Sequence, residues 1–418
     1  MQRFNTFVLA ACLVGLFSPS ASYSVNLLSD YESARKNDAA YAASYADYQT
    51  GQIQARMAGS AYFPEAKFSR SQLTNETSDR QTLSITQPII NADRWLSLKE
   101  TEPRNALAEA VLVKNQNELA LRLFKVVSAL SEARERLLLN QVNIEALQAQ
   151  AESAKRAYQL GMGTVTDVYD AQVRIAQARS LALSLRSSLQ AAERQYEAMV
   201  GVRPLLSSYA LVKQMVELKL PALDSFLDQA RRGNPNIRHS ELATQLGEIT
   251  RKRSKAVFLP SLNAAVQRSQ SGDNTSTSTG VVLRLEIPLD MGSYLRWQTA
   301  DLDLQKLRDT ERQVKQQVEL DIQRLYSEVE SSLSELSIRT EGIKAAEQSV
   351  NANEQSFKGG VRSKLDVLNA LQALHQSKSD YVTALLQLGE RLLSLQINGA
   401  IDIDLALKQV QVQLFQPS

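Results

Sequence analysis

The sequence predicts a mostly helical protein with a small β part, built by duplicating one helix–strand–strand–long helix–helix unit. Three observations carry this. Residues 158–171 and 357–370 are versions of one stretch: at a constant offset of 199, Tyr158 matches Phe357, Gly161 matches Gly360, Thr164 matches Ser363, and Asp167-Val168 matches Asp366-Val367. Residues 28–64 align with 224–260 at an offset of 196, so that Ala34-Arg35 matches Ala230-Arg231 and Phe63-Pro64 matches Leu259-Pro260. Each copy also holds a proline-free run, 104–203 and 289–416, long enough for very extended helices. A repeat of this length is a duplicated domain and not a solenoid period.

Residues 1–24 read as a secretory signal. Arg3 supplies the positive charge, 7–17 the apolar run, and cleavage fits after Ser22 or Ser24. Leu9-Ala10-Ala11-Cys12 also matches a lipoprotein box, but the apolar run before it is very short. Cys12 is the sole cysteine, so the mature chain has no disulfide or thiol site. His239 and His375 are isolated and no metal-ligand spacing or phosphate-binding loop occurs. A net charge of +2 gives no basic surface for nucleic acid. No cofactor is expected, and scattered acids without a paired nucleophile exclude an enzyme.

The first repeat is expected at 25–202 and the second at 221–400. A linker at 203–220 and a tail at 401–418 of mixed helical and irregular character follow the two. Each repeat opens with a helix, about 27–60 and 222–256. Strands are expected at about 62–72 and 80–90, then at 258–268 and 280–289, where Val281, Leu283, Leu285 and Ile287 alternate with Arg284 and Glu286. The polar loops 74–79 and 269–280 suit hairpin ends. Asn75-Glu76-Thr77 and Asn274-Thr275-Ser276 match a glycosylation pattern by chance.

A heptad series then runs from Leu119 through Leu123, Leu130, Asn140 and Leu147 to Tyr158. Its copy runs from Val318 through Ile322, Val329, Arg339 and Ala346 to Phe357, without a slip. A helix over 93–158 would be roughly 100 Å long at 1.5 Å per residue. Glycines break it at tips near 159–165 and 358–364. A hydroxyl residue caps the returning helix, 165–199 or 364–397, and Asp falls in its first turn, where the helix dipole favours it.

Strands of about ten residues can cross an outer membrane when tilted. Four cannot close a barrel, and lipid does not tolerate open edges, so other copies of the chain must complete it. Two copies would give eight strands, and three would give twelve and a lumen.

The ordered duplication, with Gly161-Met162-Gly163-Thr164-Val165-Thr166-Asp167-Val168 at the first tip, resembles the TolC family of outer-membrane efflux and secretion ducts over essentially all of the mature chain. The resemblance implies a homotrimer with a trimeric α-barrel in the periplasm and a 12-stranded transmembrane β-barrel in outer-membrane lipid of a Gram-negative bacterium. It implies docking of a periplasmic adaptor and an inner-membrane ABC or proton-driven transporter on Leu160, Gly161, Met162, Gly163, Thr164, Gly359, Gly360, Val361 and Ser363. It implies a gate at Thr166, Asp167, Asp170, Arg362, Asp366 and Asn369. There, Asp366 matches one acid of the aperture ring, whereas Asn369 stands where a second acid belongs. Arg362 matches a basic residue that pairs with the first tip, so Arg362→Ala is expected to raise conductance. Phe357 replaces a tyrosine whose hydroxyl bonds to the acid at 167, which implies a looser or differently latched closed state. Trp95 and Trp297 suit a membrane-interface belt. The plainer roles are capping for Asp167 and Asp366, a solvated charge for Arg362, and corner packing for the two tryptophans.

The function implied is a passive channel-tunnel for type I protein secretion or multidrug efflux, with secretion slightly favoured by the form of the first tip. The competing reading is an exported coiled-coil scaffold without a pore, which explains the heptads but not the matched strands.

Overall fold

The structure, a computed structural model, describes residues 27–72, 79–212, 218–271, 276–286 and 290–416. The expected signal segment with Cys12, both glycosylation patterns and the end of the fourth strand lie wholly or partly outside these residues. The first copy runs through α1 (Leu27–Asn37), α2 (Ala39–Ser60), β1 (Glu65–Gln72), β2 (Asp79–Ile90), α3 (Ala92–Leu98), α4 (Thr101–Gln159) and α5 (Val165–Val200). A 3-10 turn at Leu206–Tyr209 leads to the second copy: α6 (Leu223–Gly233), α7 (Pro235–Ala256), β3 (Ser261–Ser271), β4 (Ser276–Glu286), α8 (Met291–Lys358) and α9 (Lys364–Asn398). The chain closes with α10 (Ile403–Leu414).

Element ends repeat the sequence offsets. Leu27, Ala39, Ser60 and Glu65 map by 196 onto Leu223, Pro235, Ala256 and Ser261, while Gln159 and Val165 map by 199 onto Lys358 and Lys364. The opening helix of each copy is two helices, not one. The break falls at Asp38, whose carboxylate accepts from the Tyr41 amide at 2.7 Å, and at its counterpart Asn234, which accepts from the Asn236 amide at 2.9 Å. Pro235 enforces the second break, since its nitrogen has no hydrogen to continue a helix. The long helix of the first copy starts later than expected because a turn at Lys99 and Glu100 separates α3 from α4. Glu100 is 1% exposed and accepts from Arg104 at 2.7 Å and from Arg253 at 2.8 Å. Arg253 also reaches Asp93 at 2.8 Å. These ion pairs tie α7 to the α3–α4 corner beneath the sheet.

The strands form one antiparallel sheet in the order β1-β2-β3-β4. β1 and β3 start about three residues after the expected positions, because turns at Ser60–Phe63 and Ala256–Leu259 come first. β3 and β4 reach further into their hairpin, so the expected polar loop is mostly strand. Directly opposed residues share a face, and the register sorts the side chains. Ala66, Phe68, Leu83, Ile85, Leu262, Ala264, Val266, Val281, Leu283 and Leu285 lie on one face, with Arg70, Gln81, Gln87 and Arg268 among them. Lys67, Ser69, Ser84, Thr86, Asn263, Gln267, Arg284 and Glu286 lie on the other, with Ala265 and Val282 among them. The apolar face is open: Phe68 is 65% exposed and Val281 74%. A register shift at Pro88 ends the regular part of the β2–β3 ladder, as expected where a strand residue cannot donate.

α4 and α8 carry the chain away from the sheet for about 90–100 Å at 1.5 Å per residue. Their seams bury as the heptads predict: Leu119, Leu123, Leu130 and Leu147 in α4, Val318, Ile322, Val329 and Leu336 in α8. Tyr158, the last seam position of the first copy, is exposed instead. Asn140 is fully buried and donates to the Ala178 carbonyl of α5 at 2.9 Å. Arg339 pairs with Glu335 at 2.7 Å. The main core gathers midway, where α1, α4, α5, α8, α9 and α10 meet with contributions from α2, α6 and α7. The C-terminal tail is more ordered than expected, for α10 buries Ala406, Leu407, Val410 and Leu414 there. A small second core, Leu147, Ala171, Ala178 and Leu368, lies near the tips. Among the described residues, no helix is long and apolar enough to cross a membrane.

Candidate functional site: the paired hairpin tips

Both long hairpins end in the same backbone device. At the first tip, Gly161 adopts φ +72°, the Met162 amide donates to the Ala157 carbonyl at 2.8 Å, and the Gly161 amide donates to the Tyr158 carbonyl at 3.0 Å. At the second, Gly360 adopts φ +73°, with Val361 to Ser356 at 2.9 Å and Gly360 to Phe357 at 3.0 Å. These are Schellman closures, and the left-handed residue in each is glycine because a Cβ is strained there. Gly163 answers a second need: a Cβ on it would lie 3.1 Å from that of Ala157. Gly359 follows α8 with ordinary helical φ.

Each returning helix starts with a capping box. The Asp167 amide donates to the Thr164 hydroxyl at 3.2 Å, and the Asp167 carboxylate accepts from the Thr164 amide at 3.0 Å and hydroxyl at 2.7 Å. Ser363 and Asp366 repeat this at 3.2, 2.9 and 2.8 Å. The bonds from Ser363 hold the Asp366 carboxyl below its ordinary pKa. Both aspartates therefore fill the local capping role. Arg362 reaches Asp366 of its own turn at 3.8 Å, so the structure pairs it within the second tip and does not bring it onto Thr166 and Asp167. Thr166 is exposed and Asp170 half-buried on the first turns of α5. Asn369 is exposed, and its side-chain oxygen accepts from Arg174 of α5 at 3.0 Å.

The two tips stand side by side. Gln150 of α4 donates to Glu354 of α8 at 3.1 Å. Leu368, 1% exposed, enters the small core of the first hairpin. Lys364, the first residue of α9, is only 4% exposed. Its ammonium lies 3.3 Å from the Ser153 hydroxyl of α4 and 4.5 Å from the Phe357 ring centroid. Burial lowers the Lys364 pKa, opposed by the charges of Glu354 and Asp167. Sequence reasoning missed Lys364, Ser153 and Arg174, because each reads as a solvated helix residue. The outer ends of both tips are apolar and open: Leu160, Met162 and Val361 are strongly exposed.

At the opposite end, Trp95 lies on α3 with the Lys99 ammonium 4.0 Å from its ring centroid. Trp297 lies in the second turn of α8, 5.0 Å from the Lys255 ammonium and stacked edge-on with Tyr294 at 5.7 Å. Both tryptophans follow the strands directly.

A model of outer membrane efflux proteins matches residues 31–202 and 226–397, the two copies in turn. The chain belongs to the outer membrane efflux protein family. This efflux protein is 24% identical to the alkaline protease secretion protein AprF of Pseudomonas aeruginosa, over 92% of this chain and 87% of that one. It is 24% identical to the proteases secretion protein PrtF of Dickeya chrysanthemi, over 89% and 87%. It is 22% identical to the outer membrane protein TolC of Escherichia coli, over 92% and 83%. Among solved structures, the outer membrane protein VceC of Vibrio cholerae superposes with a TM-score of 0.74 at 15% identity, covering 90% of this chain and 96% of that one. CusC superposes at 0.76 with 15% identity, covering 91% and 93%. The efflux protein is thus an outer-membrane channel of a Gram-negative bacterium, mostly helical, with a duplicated repeat whose sheet belongs in the membrane and whose helices extend into the periplasm.

Proposed function

We propose that this channel is the outer-membrane duct of a type I protein secretion system, assembled from three copies and closed at its paired tips. The observation that carries the reading is the sheet. One face is apolar and open, the other polar, and the edges are β1 and β4. Such a sheet suits lipid outside and water inside only when its edges are closed. Four alternating strands place β1 of one copy antiparallel to β4 of the next, so head-to-tail addition closes the ring. Three copies give twelve strands, enough for a water-filled lumen, where eight would be filled by side chains.

The tips would receive the rest of the machine. Exposed Leu160, Met162 and Val361, with the glycines and hydroxyls at 161, 163, 164, 359, 360 and 363 beside them, offer a small apolar end surface to a periplasmic adaptor. An inner-membrane ABC transporter would supply the energy. Thr166, Asp167, Asp170, Arg362, Asp366 and Asn369 would line the aperture, and Trp95 and Trp297 would sit at the interface of the outer membrane, where the strands end. Secretion of a protein, in preference to efflux of small molecules, is supported by the first-tip sequence and by the protease-secretion names of two relatives. Deleting the gene separates the two. Loss of a large protein from the medium with unchanged drug sensitivity supports secretion; drug sensitivity with an unchanged medium refutes it.

A further inference from the structure

We propose that Lys364 is the positioning residue that clasps the second tip to the first hairpin, its ammonium held between the Ser153 hydroxyl and the Phe357 ring, and that this clasp keeps the resting aperture closed. The inference rests on the duct reading above and adds to it a residue outside the expected gate set.

The geometry is unusual for a lysine at a helix start. Lysine at that end meets an unfavourable helix dipole, and lysine is almost never fully buried without a partner. Here the side chain is 4% exposed and the groups around it come from three helices. Ser153 of α4 lies 3.3 Å away. The Phe357 ring of α8 offers its face at 4.5 Å, within the range of a cation–π contact, which strengthens when water is excluded. Glu354 of α8 and Asp167 of α5 supply the negative field. Beside it, Leu368 plugs the first hairpin's core, and Gln150 bonds Glu354 at 3.1 Å. The counterpart of Lys364 in the first copy is Val165, which is 44% exposed, so the clasp runs one way, from the second copy onto the first. Phenylalanine at 357 then has a positive role: a tyrosine hydroxyl is absent, and the bare ring seats the ammonium. Phe357 belongs to the second hairpin and moves with Lys364, so moving the second tip outward must strip the ammonium from Ser153 of the first hairpin.

The test uses the purified full-length channel in planar bilayers. Lys364→Met keeps the apolar stem and removes the charge, Lys364→Arg keeps the charge, and Phe357→Leu removes the ring. We expect Lys364→Met to raise mean conductance several-fold, Phe357→Leu to raise it in the same direction, and the double variant to add little beyond Lys364→Met. Lys364→Arg should restore most of the closure, which a merely space-filling role would not give. Assembly is read from heat-modifiable migration on gels; should Lys364→Met fail to assemble, Phe357→Leu decides alone. Wild-type conductance in assembled Lys364→Met, or independent addition of the two effects, overturns the clasp while leaving the duct intact. A wild-type channel that passes no current under any condition overturns the duct reading, and the clasp with it.

Discussion

Asp30 shows how a single half-buried carboxyl can organise the middle of the chain. Its carboxylate accepts from the Tyr196 hydroxyl at 2.9 Å and the Tyr209 hydroxyl at 2.6 Å. That joins α1 to the end of α5 and to the 3-10 turn. Burial raises the Asp30 pKa above 3.8, opposed by the two tyrosine bonds. A raised folded-state pKa means that the protonated acid is favoured on folding. This contribution is fully present below the unfolded pKa and is lost as pH rises through the folded one. Thermal stability should therefore gain from this group as pH falls through the folded pKa toward 3.8, and Asp30→Asn should remove that gain while keeping both contacts. An unchanged pH slope in Asp30→Asn would contradict the assignment. Asp30→Ala leaves the buried Tyr196 hydroxyl without an acceptor, while Tyr209 can still donate to Tyr196 at 2.9 Å, and should cost about 2 kcal/mol in chemical denaturation. At the tips the residue scale divides differently. Thr164, Asp167, Ser363 and Asp366 were legible from sequence as caps, since hydroxyl and acid three apart is a local signal. Lys364 was not, because its meaning depends on Ser153 and Phe357, which only the packing of α4, α8 and α9 brings to it.

Among the elements, the strands carry the most readable code and the helix breaks the least. Val281, Leu283 and Leu285 alternate in sequence and share one open face in the sheet. Replacing Leu283 by Lys should destabilise the inserted protein by about 2–4 kcal/mol if the residue lies near the bilayer midplane. The same change at Asn263, on the polar face, should cost far less; equal costs by urea unfolding in lipid vesicles would contradict the facing. The break at Asn234-Pro235 is written in the sequence, and the 196-residue offset would have exposed its partner at Asp38. The turn at Lys99–Glu100 has no such signal, for it depends on Arg253 arriving from α7. Arg253→Ala leaves Glu100 buried with Arg104 as its remaining ion-pair partner and should cost about 2 kcal/mol. Gly389 of α9 is a further contact point. A Cβ there would meet Leu414 of α10 and Phe124 of α4, so Gly389→Ala should lower stability by about 1–3 kcal/mol through overpacking, read as a drop in thermal midpoint. A rise instead would show that α10 packs more loosely than described.

For the whole molecule, the duplication explains why one chain can be both a membrane wall and a periplasmic wall. Each copy contributes one strand hairpin at one end and one helical hairpin at the other, and the offsets of 196 and 199 keep the two in step. The long seams were legible because heptads repeat over the whole length, whereas α10 was not, because its burial depends on a core assembled from many helices of both copies. The asymmetry of the tips matters most at this scale. The first copy keeps Asp167 and Asp170, and the second combines Asp366 with Arg362, Asn369 and the buried Lys364. The central claim is that the sheet of one chain is a fraction of a closed wall. Native mass spectrometry of the detergent-extracted protein from outer membranes tests it most directly. The account predicts an assembly of three chains that separates only on heating; a single chain, or recovery as a water-soluble rod, would contradict it.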